Sequence, residues 1–145
     1  MNKEFVPYGL ALRLGSLGFD EPCFGYYVEG ELRGVNLGIE QLGGMKPYYQ
    51  RFGFHTLSNH DIDNPKKIVV TAPTWQQAFR WFREKGYLSY IEVFSDGKYD
   101  YTNVSNHFSV EVDYNDGPFD TYEEAETACL ERLIEIIEQN KSEEE

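Results

Sequence analysis

Thr74-Trp75-Gln76-Gln77-Ala78 and Thr121-Tyr122-Glu123-Glu124-Ala125 are two copies of one helix-start signature. In each, the Thr hydroxyl can accept from the backbone N–H three residues on, while a Gln or Glu reaches back, with an aromatic residue at the first helical position. Two helices are therefore expected to start at Trp75 and Tyr122.

Outward from the first copy, Ile68-Val69-Val70-Thr71 reads as a short β-branched strand that Ala72-Pro73 delivers to the cap. On the helix, Trp75, Ala78, Phe79 and Phe82 share one face and Gln76, Arg80 and Arg83 the other. Trp81 falls at the edge of the apolar arc, and Gly86 is the stop. Ser89–Phe94, Tyr99–Val104 and Phe108–Tyr114 follow as an antiparallel meander, the first two joined by Ser95-Asp96-Gly97-Lys98. The second cap opens a helix whose stripe of Tyr122, Ala125, Cys129, Leu133 and Ile136, widened by Leu130, Ile134 and Ile137, should cover a sheet. Upstream, Phe5-Val6-Pro7-Tyr8 opens a short helix with Leu10, Ala11, Leu14 and Leu17 on one side. Cys23–Val28 and Glu31–Val35 flank Glu29-Gly30 as a hairpin, and from Asn36 to Pro65 no periodicity persists. The expected fold is α+β: one antiparallel sheet of about five strands, made of the N-terminal hairpin and the C-terminal meander, with a short N-terminal helix and two longer helices on one face.

At 145 residues with 41% hydrophobic and 16% aromatic residues, the chain can bury a substantial core. One globular domain over residues 1–141 is expected, with residues 142–145 as a disordered acidic tail. The net charge of −12 is polarised: residues 46–85 carry seven basic and three acidic groups, while residues 120–145 carry two and ten. Duplex DNA, whose binding depends on many Lys and Arg contacts to phosphate, is not an expected partner. Met1-Asn2-Lys3-Glu4-Phe5 leads into no apolar signal core, and no apolar run reaches the roughly 18 residues of a membrane span. With only Cys23 and Cys129, far apart, the expectation is a soluble cytoplasmic protein whose thiols are small core residues.

Phe5-Val6-Pro7-Tyr8, Gly18–Tyr27, Ala72–Lys85 and Thr121–Glu126 together resemble a family of small uncharacterised proteins encoded by gut anaerobic bacteria and their phages. The resemblance covers about half the chain and implies a bacterial or phage cytoplasm, with no activity or functional residues attached. Asn36 to Lys67 departs from it.

Candidate chemistry is sparse. His55, His60, Asp61 and Asp63 fall within nine residues and are ligand types that suit a transition metal, but their spacing fits no named site and a polar loop accounts for them equally well. No nucleophile–base arrangement or phosphate loop is legible, so no catalytic residue and no cofactor is expected. The basic, aromatic middle offers Tyr48, Tyr49, Arg51, Arg80, Trp81 and Arg83: rings that stack on a base and guanidiniums that meet phosphate, and equally the residue types enriched at protein interfaces. The expectation is a non-enzymatic interaction protein, of phage or mobile-element type, that contacts another protein or itself as a homo-oligomer. A binder of an anionic nucleotide-like molecule is the alternative, and an enzyme the third.

Overall fold

A computed structural model describes residues 2–34, 58–60, 62, 64–105, 113–114 and 117–144. The chain divides into two compact units, residues 1–77 and 78–145.

The first unit is built on the hairpin of β1 (Gly25–Val28) and β2 (Glu31–Gly34). Glu29 and Gly30 both take positive φ, 50° and 85°, which matches the twist of a two-residue hairpin turn; only glycine does this without strain. β3 (Val69–Ala72) pairs antiparallel on the other side of β1, with Tyr27 opposite Val70, giving the order β2-β1-β3. Helix α1 (Tyr8–Ser16) follows Pro7, whose carbonyl accepts from Ala11 N–H at 2.9 Å, so Pro7 occupies the cap. Leu10, Ala11 and Leu14 face inward, and the helix ends at Gly18, φ 98°, with Phe19 N–H donating to Leu14 O. α1 packs on β3. Gly15 makes that approach possible, since a Cβ there would stand 3.1 Å from Val70 Cγ2. Tyr27 fixes the start of the chain by donating its hydroxyl to Val6 O at 2.7 Å.

The second unit holds β4 (Tyr87–Val93), β5 (Tyr99–Ser105) and the two-residue β6 (Asp113–Tyr114), in that order across a second antiparallel sheet. Gly97, φ 82°, closes the β4–β5 turn, where Phe94 N–H donates to Lys98 O. Helix α3 (Tyr122–Glu144) lies on β5 and β4, burying Ala125, Cys129, Leu130, Leu133 and Ile134. Helix α2 (Trp75–Glu84) runs through the boundary between the units, which falls after Gln77.

Both capping boxes form, with a difference. Gln77 N–H donates to Thr74 Oγ1 at 3.2 Å, and Thr74 N–H returns to Gln77 Oε1 at 3.1 Å. Glu124 N–H likewise donates to Thr121 Oγ1 at 3.1 Å, but its carboxylate accepts from Asp120 N–H, one residue earlier than expected.

The α+β class holds, whereas the single sheet does not: the strands form two small sheets. β1 is already flanked on both sides, and the outer edge of β3 is closed off. There Asn59 Oδ1 accepts from Thr71 N–H at 2.8 Å, and Val6 N–H donates to Pro73 O at 2.9 Å. The meander is thus left to form its own sheet. α1 packs on the first sheet and α3 on the second. α2 also turns differently. Its buried residues are Ala78, Trp81 and Phe82, while Trp75 is half-buried with its indole N–H donating to Lys3 O at 2.9 Å. The residues expected to fray, Ser142 to Glu144, are exposed but helical.

Candidate functional site

Tyr48, Tyr49, Arg51, His55, Asp61 and Asp63 lie outside the described residues. His60 is described: it is exposed, and its backbone N–H donates to Asp20 Oδ1 at 2.9 Å. Between the members of that group sits Asn59, whose role is structural. Its amide donates to Phe19 O at 2.6 Å and accepts from Thr71, tying the turn to β3 and to the end of α1. Among the described residues no cluster of three His, Cys, Asp or Glu could hold a metal ion.

Of the remaining candidates, Arg80 and Arg83 are exposed on α2, but Trp81 is not the open stacking face the sequence suggests. Its ring is 7% exposed, meets Phe82 edge-on at 5.1 Å, and carries Lys85 Nζ 4.5 Å from its centroid. Seen from the helix alone, Trp81 sits at the rim of the arc. Position i+3 from Ala78 and beside Phe82 nevertheless places it in the buried sector.

The thiols are inert by environment. Burial pushes both Cys23 and Cys129 from 9.0 up to about 12, so neither carries an appreciable thiolate fraction near neutrality. Cys129 Sγ donates to Asn103 Oδ1 at 3.2 Å under α3, and Cys23 Sγ donates to Glu21 O at 3.3 Å.

The sequence predicts a strand at Ser89–Phe94 but not its exposure: β4 with the adjoining Phe94 carries four of the seven exposed large apolar residues among those described. Side chains of β4 alternate. Tyr87 and Ser89 point to α3, where Asn140 Nδ2 donates to the Tyr87 hydroxyl at 3.2 Å and the Ser89 side chain lies near Cys129. Leu88, Tyr90 and Glu92 therefore face away from α3. Leu88 is 38% exposed and Tyr90 54%, and at the strand's end Val93 reaches 69% and Phe94 42%. The only hint in the sequence was the run Tyr87-Leu88-Ser89-Tyr90-Ile91, in which neither alternate set is polar throughout.

The backbone of β4 is as informative as its side chains. Tyr99 exchanges two bonds with Phe119, at 2.9 and 2.7 Å, so its N–H and C=O point away from β4. By antiparallel alternation, Asp100, Thr102 and Val104 are the β5 residues that bond β4, through Glu92, Tyr90 and Leu88. The N–H and C=O groups of Tyr87, Ser89, Ile91 and Val93 consequently point outward. Among the described residues β4 pairs with β5 alone.

No helix of the described residues is long and apolar enough to cross a membrane. No family model matches the chain, and comparison with curated proteins and with solved structures finds no match.

Proposed function

We propose that the protein is a non-enzymatic interaction protein that works by protein–protein contact through the β4 surface. One observation carries the reading: a seven-residue edge strand presents Leu88, Tyr90, Val93 and the adjoining Phe94 to solvent beside a row of outward main-chain donors and acceptors. Isolated exposed apolar residues need no explanation. Four of them along one strand and its turn, at an edge that is unpaired among the described residues, mark a recognition surface. The resemblance to phage- and anaerobe-encoded proteins suits a modulator of a host component in a cytoplasmic setting. Among the described residues the nucleotide reading keeps Arg80 and Arg83, because burial withdraws Trp81 from stacking; Tyr48, Tyr49 and Arg51 lie outside them.

The test is quantitative capture on immobilised full-length protein, parent against Tyr90→Lys. Tyr90 is more than half exposed, so the substitution leaves the core intact. A partner bound by the parent and weakened at least about tenfold in the variant supports the reading. Equal capture by both, or no specific capture with both proteins folded and monomeric, sinks it.

A further inference from the structure

We propose that residues 2–5 form a strap over a notch at Gly25, and that the strap opens and closes as one unit with the Trp75 side chain, pivoting at Val6, while the sheet beneath stays folded. The proposal stands apart from the β4 surface and concerns the first unit alone.

The seat of the strap depends on one glycine. Gly25 is buried at the start of β1, opposite Ala72 of β3. A Cβ there would stand 2.9 Å from Phe5 Cε1 and 3.4 Å from the Ala72 Cβ, so the Phe5 ring lies against bare backbone. Any other residue at position 25 would push the ring aside. From that seat the strap reaches the start of α2. Phe5 forms an isolated antiparallel bridge with Thr74, and the Trp75 indole N–H donates to Lys3 O at 2.9 Å. The carbonyl that holds the indole is thus two residues from the seated ring. When the ring leaves the notch, Lys3 O leaves with it and the indole loses its acceptor.

Burial divides the segment at Val6. Val6 is fully buried, donates its N–H to Pro73 O at 2.9 Å and accepts the Tyr27 hydroxyl at 2.7 Å, which fastens it to β1 and to the end of β3. On the other side of it, Lys3 and Glu4 are exposed, and Phe5 and Trp75 are half-buried. A segment with few buried contacts beyond a well-anchored residue opens at lower cost than the fold as a whole. Opening here breaks neither the β1–β3 ladder, nor the Asn59 bonds to Phe19 and Thr71, nor the Gln77 bond to Pro22. It uncovers an apolar floor of Gly25 and Ala72 beside a released indole, a notch that the chain's own Phe5 fills in the closed state.

Hydrogen exchange of the full chain, followed by NMR in increasing urea below the unfolding transition, tests this. The Trp75 indole N–H should exchange through an opening with little urea dependence, and the Tyr27 amide through one with a steep dependence, since only the second exposes the core. Phe5→Ala and, independently, Gly25→Ala should each speed indole exchange roughly tenfold, because each takes the ring out of its seat. If Gly25→Ala does not fold, Phe5→Ala decides, since it removes a half-buried side chain and leaves β1 untouched. Asn59→Ala, which loosens β3 without touching the strap, should speed the Tyr27 amide and leave the indole unchanged. An indole with the same urea slope as Tyr27 overturns the proposal. So does an Asn59→Ala variant in which both accelerate alike, because the strap would then open only with the whole fold. An indole unmoved by Phe5→Ala overturns it as well, because ring and indole would not share one opening.

Discussion

Gln77 and Glu124 occupy the same position in the two helix starts, yet they are not interchangeable. Gln77 accepts from Thr74 N–H through its oxygen and donates through its amide nitrogen to Pro22 O at 2.8 Å, so both ends of the carboxamide are engaged. A glutamate there could keep the first bond but would turn an acceptor toward a carbonyl. A negative charge in a first helical turn normally helps by about 0.5 kcal/mol, whereas a lost hydrogen bond costs about 1 kcal/mol, so Gln77→Glu should be neutral to destabilising by up to about 1 kcal/mol. Urea denaturation of the two variants checks it: Glu124→Gln should shift the midpoint less, since its partner Asp120 N–H needs only an oxygen. A clearly stabilised Gln77→Glu would refute the double role. Asn59 is the more demanding case, serving Phe19 O and Thr71 N–H at once. Asn59→Ala leaves the Thr71 amide of a buried residue without its acceptor and should cost about 1–3 kcal/mol in the same measurement.

At the level of elements, α1 contains a controlled pair of glycines. A Cβ at Gly9 would meet nothing within 4 Å, whereas at Gly15 it would press on Val70 Cγ2 at 3.1 Å with Asn59 Nδ2 close behind. Propensity alone predicts that alanine at either position stabilises the helix by up to about 1 kcal/mol. Gly9→Ala should do so and raise Tm. Gly15→Ala should gain nothing or lose stability, because Val70 is buried in β3 and has little room to yield. Equal stabilisation by both would show that α1 is not seated as closely as described. Caps, turns and strands were legible because each is written within a few neighbouring residues: Thr74 with Gln77, Asp96 with Gly97, the apolar runs on either side. Strand partnership was not. Nothing local in Val69-Val70-Thr71-Ala72 reveals that β1 lies opposite, or that an asparagine at position 59 seals the outer edge, and without that knowledge one sheet and two are equally good readings. The exchange of Trp75 for Trp81 has the same origin, since the periodicity of α2 defines an arc but leaves open which rim faces inward. The candidate site was less legible still. An exposed edge is a property of what fails to pair, and it became visible only once β4's partner was known.

For the whole molecule, the acidic side of the pH scale and the alkaline side present different groups. The net charge is −12, but what titrates with a shifted pKa is mostly thiol and phenol. Burial raises Cys23 and Cys129 from 9.0 to about 12, and it raises Tyr26, Tyr27 and Tyr122 above their usual 10.0. Lys98, bonded to the Asp120 carboxylate, is also held above its ordinary value. For each of these groups the folded pKa exceeds the unfolded one, so the folded state binds protons more tightly. Its stability is fully present below the unfolded pKa and is lost as pH rises toward the folded value. For the thiols that window runs from pH 9.0 to about 12. One pKa unit corresponds to about 1.4 kcal/mol, so each thiol withdraws on the order of 2–4 kcal/mol across it, a large part of a typical domain's stability. The expected behaviour is a plateau of Tm up to about pH 9 followed by a steep decline. Because Cys129 lies beneath α3 and Cys23 in the first unit, the decline should draw on both. The doubly substituted Cys23→Ala, Cys129→Ala protein, though less stable at neutral pH through lost packing, should show a visibly shallower alkaline slope. Calorimetric melts of parent and double variant at half-unit steps measure it, and parallel slopes would mean that the thiols are not buried as neutral groups and that the alkaline limit of this fold is set by its tyrosines alone.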